Sequence, residues 1–330
     1  MRVGSGHRGT GIAGRPVDRR PGAVDRVPER APDTWRQRAT GALWLAGWQV
    51  ARWLPERMAL AIADTAGRLA ARRGGGSSTR IRQNLSRVVD PGDLDAAVVA
   101  AYRSYARYWV EAFRVADIGR DELEARVTVE GLDGADDVLD EERGAIVLLA
   151  HHGSWDIAAR WAEDHGYHMT AVAEVVRPRS LFARFVELRE SMGLEIVPLE
   201  PRAGMGARGV GVRLGQVLGD NHLVGLLTDR DLSGRAPLVE FFGEPCHLPV
   251  GATILAKRYR APILPTAILQ RPGGRWHLQI LPPRWLHDLE IHDAQQQVAA
   301  ALEDIIRLDP AQWHAFQPIW PDDGIESDTP

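Results

Sequence analysis

Cysteine is almost missing: Cys246 is the only one in 330 residues. That excludes a disulfide framework and a cysteine-based zinc site, and it fits a reducing compartment. Lysine is as scarce, since Lys257 stands alone among 40 basic residues. It lies in Ala256-Lys257-Arg258, so the Gly-Lys-Ser/Thr end of a phosphate-binding loop is absent. The arginine bias reflects a GC-rich genome. No H-E-x-x-H pair marks a metalloprotease and no G-x-S-x-G elbow marks a serine hydrolase. Near the start the longest uncharged stretch is 39–51, short of the roughly 20 residues that span a bilayer. A net charge of −4 gives no global drive toward nucleic acid. Gly204-Met-Gly-Ala-Arg-Gly209 matches a dinucleotide fingerprint by letter only, because no strand leads directly into it; we read it as a flexible loop.

What is present suits a globular chain with one large domain or two small ones, with 45% hydrophobic residues to build a core. Eleven tryptophans against five tyrosines and six phenylalanines is unusual. Tryptophan favours places that are apolar on one side and wet on the other, membrane interfaces among them.

Residues 1–33 are rich in Arg, Gly and Pro without apolar periodicity and read as a disordered tail, and 321–330 as a second tail. Thr34 to Leu54 reads as an amphipathic helix with Trp35, Trp44, Trp48 and several arginines. It suits the surface of an anionic membrane or, equally, the protein's own core. Helices are expected from Pro55 to Arg73, around Arg80 to Val89, and from Pro91 to Ala116. The last carries an aromatic stripe of Tyr102, Tyr105, Tyr108, Trp109 and Phe113, read as core. The part 34–116 is therefore helical. From Val127 short apolar runs of strand length alternate with helical patterns to residue 320. That alternation predicts an α/β fold: a mostly parallel central sheet with helices on both faces. We treat 34–320 as a single domain, its catalytic part being 127–320.

The apolar run Gly144 to Ala150 ends in His151-His152-Gly153-Ser154-Trp155-Asp156. A strand feeding a turn with His and Asp puts ionisable groups at the rim of a sheet, where α/β folds bind ligands. His151 and Asp156 form an H-x4-D pair. With Ser154 capping the next helix, Asp156 lies in its first turn, within reach of the imidazole. An imidazole can take a proton from an attacking alcohol, and a carboxylate on its other nitrogen fixes the tautomer. The same spacing also fits a helix-capping Asp beside two loop histidines. Asp229-Arg230-Asp231 ends a second buried-looking strand, 223–227, and reaches the same rim if the two strands are parallel. Glu174, at a strand end, and Arg189, on the next helix, are weaker candidates and could form a structural ion pair. The block Leu238 to Gly243 reads as an apolar flap before a proline-started helix at Pro249, suited to a long apolar chain.

Taken together, 145–156, Arg80-Ile-Arg-Gln-Asn-Leu-Ser-Arg87, Thr228-Asp-Arg-Asp-Leu232, Val239-Glu-Phe-Phe-Gly243 with Leu248-Pro-Val-Gly251, and Pro310-Ala-Gln-Trp-His314 resemble the bacterial lysophospholipid and lipid A acyltransferases over about 35–320. Arg230-Asp-Leu232, the Phe-Phe-Gly block and the ending through Trp320 look most like the branch that acylates phosphatidylinositol mannosides. The resemblance implies transfer of a fatty acyl group, usually palmitoyl, from acyl-CoA to a mannose hydroxyl, with acyl-CoA as substrate and no cofactor or metal. It implies His151 as general base and Asp156 as its orienting carboxylate. Asp229 is a further charged partner at a position where relatives often carry Glu. Glu174 and Arg189 line the site, and Arg230, Gly153 and Ser154 contact substrate. The Gly153–Ser154 amides are expected to stabilise the oxyanion. The implied partners are acyl-CoA, the glycolipid and a membrane surface, with peripheral attachment at the cytoplasmic face and no nucleic acid. Acylation of another lipid acceptor, such as a lipid A precursor or lysophospholipid, is the near alternative; a non-catalytic lipid-binding protein is the distant one.

Overall fold

Strand–helix alternation in the second part of the chain builds a seven-stranded sheet. A computed structural model describes residues 33–199, 206–231 and 236–321. The tails at 1–32 and 322–330 lie outside them, as does the start of the 204–209 motif. Four helices come first: α1 (Trp35–Trp53), α2 (Glu56–Arg73), α3 (Gly76–Leu85) and α4 (Leu94–Arg114). Then follow α5 (Arg120–Arg126), β1 (Val127–Glu130), α6 (Leu132–Asp140), β2 (Ala145–Leu149), α7 (Trp155–Asp164), β3 (Met169–Glu174), α8 (Arg179–Ser191) and β4 (Glu195–Leu199). The chain continues through α9 (Gly206–Gly219), β5 (Leu223–Leu227), β6 (Leu238–Phe241), β7 (Glu244–His247), α10 (Gly251–Tyr259), β8 (Ile263–Arg271), β9 (Arg275–Ile280) and α11 (Ile291–Arg307).

The strand order is β1-β9-β8-β2-β5-β3-β4. Neighbours run parallel except β8 and β9, which form an antiparallel hairpin turned at Gly273–Gly274, both with positive φ. Alternate strand residues feed two cores, as the two-residue period of a pleated strand requires. Ile146, Leu148, Val224 and Leu226 face α9, α10 and α11; Val147, Leu223, Leu264 and Leu278 face the side of α6 and α7. The expected α/β fold with helices on both faces is what is found.

Local differences have local causes. Gly74 and Gly75 adopt φ of +68° and +105°, which break α2; α3 then starts at Gly76, several residues before the expected basic helix. The long helix expected to Ala116 ends at Arg114, and the short α5 was not foreseen. Within the fingerprint-like stretch, Gly206 already opens α9 rather than continuing a loop. The expected apolar flap is instead the β6–β7 hairpin. Its Phe241 is fully buried, stacked on Trp320 with ring centroids 5.5 Å apart. The hairpin fills core and does not line the cavity described below.

Helix α1 starts with a capping box: Gln37 N–H donates to Thr34 Oγ1 at 3.3 Å and Thr34 N–H to Gln37 Oε1 at 2.8 Å. Its inward face buries Trp48, whose ring stacks on Phe113 and whose Nε1–H donates to the Phe113 carbonyl at 3.1 Å. Its outward face leaves Trp35, Leu43 and Trp53 at 72%, 75% and 80% exposure. The expected packing on the protein's own core is found on one face of this helix, and the opposite face is apolar and exposed. Among the described residues no helix is long and apolar enough to cross a membrane.

Candidate active site

The β2–β5 register creates the site. Leu149 lies opposite Leu227 at the ends of two parallel strands, and Thr228 N–H extends the ladder to the Leu149 carbonyl at 3.1 Å. His151 and Asp229 each follow their strand end by two residues, so pairing brings them together. Two of the three nitrogens of His151 converge on Asp229. Its Nδ1 lies 2.7 Å from Asp229 Oδ1, and its backbone N–H donates to Oδ2 at 3.0 Å. Trp313 Nε1–H adds a third bond to Oδ2 at 2.9 Å. Burial alone would raise the Asp229 carboxyl; the His151 charge and these donors outweigh it and hold the group well below the usual carboxylate range. An ionised Asp229 at Nδ1 fixes the proton there and leaves Nε2 as the basic nitrogen.

Asp156 does not take that place. Its carboxylate is bound by Arg189 Nε–H at 2.7 Å, by Arg189 Nη2–H at 3.3 Å and by the Tyr108 hydroxyl at 3.0 Å. The first turn of α7 turns Asp156 toward α8 and α4, while strand pairing delivers Asp229 to the imidazole. Burial works against the Arg189 charge, but the Asp156 carboxylate overrides it and raises the guanidinium further. Burial also pushes the Tyr108 hydroxyl well above its ordinary value. Glu174 pairs with Arg230 rather than Arg189, at 3.2 Å, and Arg230 also reaches Gln317.

Gly153 and Ser154 do not supply free amides. Gly153 N–H donates to the Gln312 carbonyl at 3.0 Å and Ser154 N–H to the Ile268 carbonyl at 3.2 Å. Gly153 is required here, with φ of +60° and room for no Cβ, which would lie 1.7 Å from the Ile268 oxygen. The Ser154 hydroxyl donates to buried Glu111 and accepts from Gln270 Nε2–H at 3.1 Å, so it makes no helix cap. The turn that carries His151 is thus tied down from behind by a polar network.

His151, Asp156, Asp229, Glu174, Arg189 and Arg230 all border one cavity of about 390 Å³. Its inner wall is one face of the sheet: Val147 and Leu149 on β2, Met169 and Ala171 on β3, Ile196 on β4, Leu223 and Gly225 on β5, Leu264 on β8 and Leu278 on β9. Ala158, Ala159 and Ala162 on α7 roof it, and their small side chains keep space between helix and sheet. The space is apolar and of the size that holds a small lipid-like ligand. Among the described residues no group of three or more His, Cys, Asp and Glu is placed to hold a metal ion.

Three residues of the site carried no role in the sequence reading. Tyr108 was counted as core stripe; it is buried, yet its hydroxyl anchors Asp156 and its ring borders the cavity. Trp313 and His314 lie in a block that carried only resemblance. Trp313 clamps Asp229, and His314 N–H donates to the His151 carbonyl at 2.7 Å.

Residues 32–321 match the family model described as bacterial lipid A biosynthesis acyltransferase. A phosphatidylinositol mannoside acyltransferase of Mycobacterium tuberculosis (strain ATCC 25618 / H37Rv) is 35% identical over 307 residues, 92% of this chain and 95% of that protein. The protein of the same name from Mycolicibacterium smegmatis (strain ATCC 700084 / mc(2)155) is 36% identical over 280 residues, covering 84% and 90%.

Proposed function

The chain belongs to the bacterial lipid A biosynthesis acyltransferase family, and from that premise we propose that it transfers a fatty acyl group from acyl-CoA to a mannose hydroxyl of a phosphatidylinositol mannoside. The observation that carries this reading is a His–Asp pair at an apolar cavity cut along one face of the sheet. His151 Nε2 removes the proton as the mannose oxygen attacks the thioester carbonyl. The tetrahedral oxyanion collapses, the C–S bond breaks, and the imidazolium returns the proton to the departing CoA thiolate. Asp229 remains ionised and stabilises the imidazolium. The acyl chain lies along the sheet face, between the strands and the alanines of α7. Arg230, Glu174 and the Asp156–Arg189 pair border the substrate region. The reaction consumes no cofactor, and acyl-CoA is a substrate.

The acceptor reading rests on the names of the two relatives, and the apolar outer face of α1 supports work at a membrane surface. Acyl-CoA supply places that surface on the cytoplasmic side, with peripheral attachment. The test is CoA release from palmitoyl-CoA by wild type and His151→Ala, with and without phosphatidylinositol mannosides. Release that needs both the acceptor and His151 is expected. Release from the folded His151→Ala variant at the wild-type rate would sink the mechanism. Release only with a lysophospholipid or a lipid A precursor would reassign the acceptor.

A further inference from the structure

The strand register fixes where the apolar cavity begins and ends. His151 and Asp229 stand just past the C-terminal ends of β2 and β5. At the opposite ends Ala145, Leu223 and Met169 lie level on neighbouring strands, and Leu223 and Met169 border the cavity. His151 is six residues beyond Ala145. At a rise of about 3.3 Å per strand residue, the two ends are therefore up to about 20 Å apart. An extended palmitoyl chain spans a similar length.

Tyr167 stands at the far end, two residues before Met169, and borders the cavity. Three elements brace it. Its ring stacks on buried Trp161 with centroids 6.2 Å apart, and its backbone N–H donates to the Ala162 carbonyl at 2.9 Å. Its hydroxyl donates to Asp136 Oδ1 at 2.6 Å, which ties the α7–β3 turn to α6. Leu132 and Ala135 of α6 also border the cavity. Burial, and then Asp136, hold the phenol above its ordinary value, so the hydroxyl stays a donor at neutral pH. Toward β4 and β9 the cavity is walled by Leu194 and Leu278, both buried in the core. Tyr167 and Asp136 are only half-buried, so this wall can be altered without cutting into the core.

We propose that Tyr167 determines acyl-chain specificity: its ring, held by the bond to Asp136, is the wall at which the terminal methyl of the acyl chain stops. This rests on the acyl-transfer reading above, with the thioester at His151 and the chain along the sheet face. A chain longer than the cavity must displace the ring or leave methylenes outside, and each methylene left unburied forgoes about fourfold in binding. Tyr167 takes no part in proton transfer.

Ratios between donors separate this role from a structural one. Binding is measured by calorimetry with thioether analogues of myristoyl-, palmitoyl- and stearoyl-CoA, which cannot be transferred. Turnover is measured as CoA release from the three thioesters with phosphatidylinositol mannoside acceptor. The proteins are wild type, Tyr167→Ala, Tyr167→Phe, Tyr167→Trp and His151→Ala, with thermal midpoints for each. Wild-type binding should tighten from myristoyl to palmitoyl and no further. Tyr167→Ala vacates the volume of the ring, which two further methylenes can fill. It should raise the stearoyl-to-palmitoyl ratio on the order of tenfold, in affinity and in kcat/KM. Tyr167→Phe keeps the ring and should keep the wild-type ratio. Tyr167→Trp should shift preference toward myristoyl. A residue that only supports the fold would lower turnover for every donor alike and leave the ratios unchanged. If Tyr167→Ala does not fold, the opposite shift in Tyr167→Trp decides. Wild-type ratios in both the alanine and tryptophan variants, with transfer still dependent on His151, would overturn this inference alone. A wild type that binds the analogues in the expected order but transfers no acyl group would overturn the acyl-transfer reading and leave the wall supported by binding. A wild type that binds no analogue would overturn both.

Discussion

Two aspartates at the site do different work, and their variants should separate. Asp229 accepts three hydrogen bonds, two of them from His151. Asp229→Asn keeps the shape and misorients the imidazole, so kcat should fall on the order of 10³–10⁴-fold, as for other carboxylates that orient a catalytic histidine. Asp156 is buried against a mostly buried Arg189. Asp156→Ala leaves that guanidinium unpaired and should cost about 3–5 kcal/mol of stability, with activity falling through the displaced wall. Denaturant melts and kinetics on both variants check the contrast: an unchanged melt for Asp156→Ala would contradict the structural role. The H-x4-D spacing pointed to His151 and Asp156, which both border the cavity, but joined them to each other. A single sequence favours the carboxylate nearest along the chain; it does not give strand neighbours. The one on the imidazole is 78 residues away.

At the scale of elements, the ends of β2 and β5 were readable because apolar runs of strand length stop at charged turns. Their mutual register was not readable, and it alone brings the pair together. The cavity was hidden for a related reason. It is written as small residues, Ala158, Ala159 and Ala162 on one helix and Gly225 on one strand, which look like ordinary core. Gly225 is the telling one. A Cβ there would approach Met169 Sδ to 3.2 Å, at the cavity wall. On the proposed acyl transfer, Gly225→Leu should fill part of this cavity and shift preference from palmitoyl to shorter acyl donors; an unchanged chain-length profile would place the chain elsewhere. Helix α1 yields another expectation. Leu43→Asp with Trp53→Asp, both exposed, should weaken co-sedimentation with anionic liposomes while leaving the thermal midpoint within a degree or two. Unchanged liposome binding would assign membrane contact to another surface.

For the molecule as a whole, buried titratable groups set the pH range. His152, His222 and His314 are all pushed below their ordinary value of 6.5, chiefly by burial. Below that pH the unfolded chain binds protons that the folded chain refuses. Stability present above pH 6.5 is therefore lost as the pH falls. Asp229 and Glu195 act in the same direction at lower pH. Burial opposes both, but His151 holds the one and Arg213 the other below their ordinary values of 3.8 and 4.5. Their contribution fades only as those carboxylates protonate. Thermal midpoints should be level above pH 7, decline below 6.5 and fall again below about 4. His152→Gln, which can keep a donor for the Asp309 carbonyl, should flatten the first decline; an identical slope would show that His152 does not contribute to it.

The segment from Pro310 to Trp320 closes the site: Trp313 clamps Asp229, His314 holds the His151 carbonyl, and Gln312 caps Gly153. Every strand of the sheet, and both members of the His–Asp pair, leave the ribosome before it. The same segment supplies cavity wall and core, since His314, Phe316 and Ile319 border the cavity and Trp313 and Trp320 are fully buried. The His–Asp pair and its cavity are therefore complete only once this last segment has been made. Premature termination between α11 and Trp313 should therefore yield a destabilised as well as inactive protein, because it removes two buried tryptophans from the core together with the clamp on Asp229.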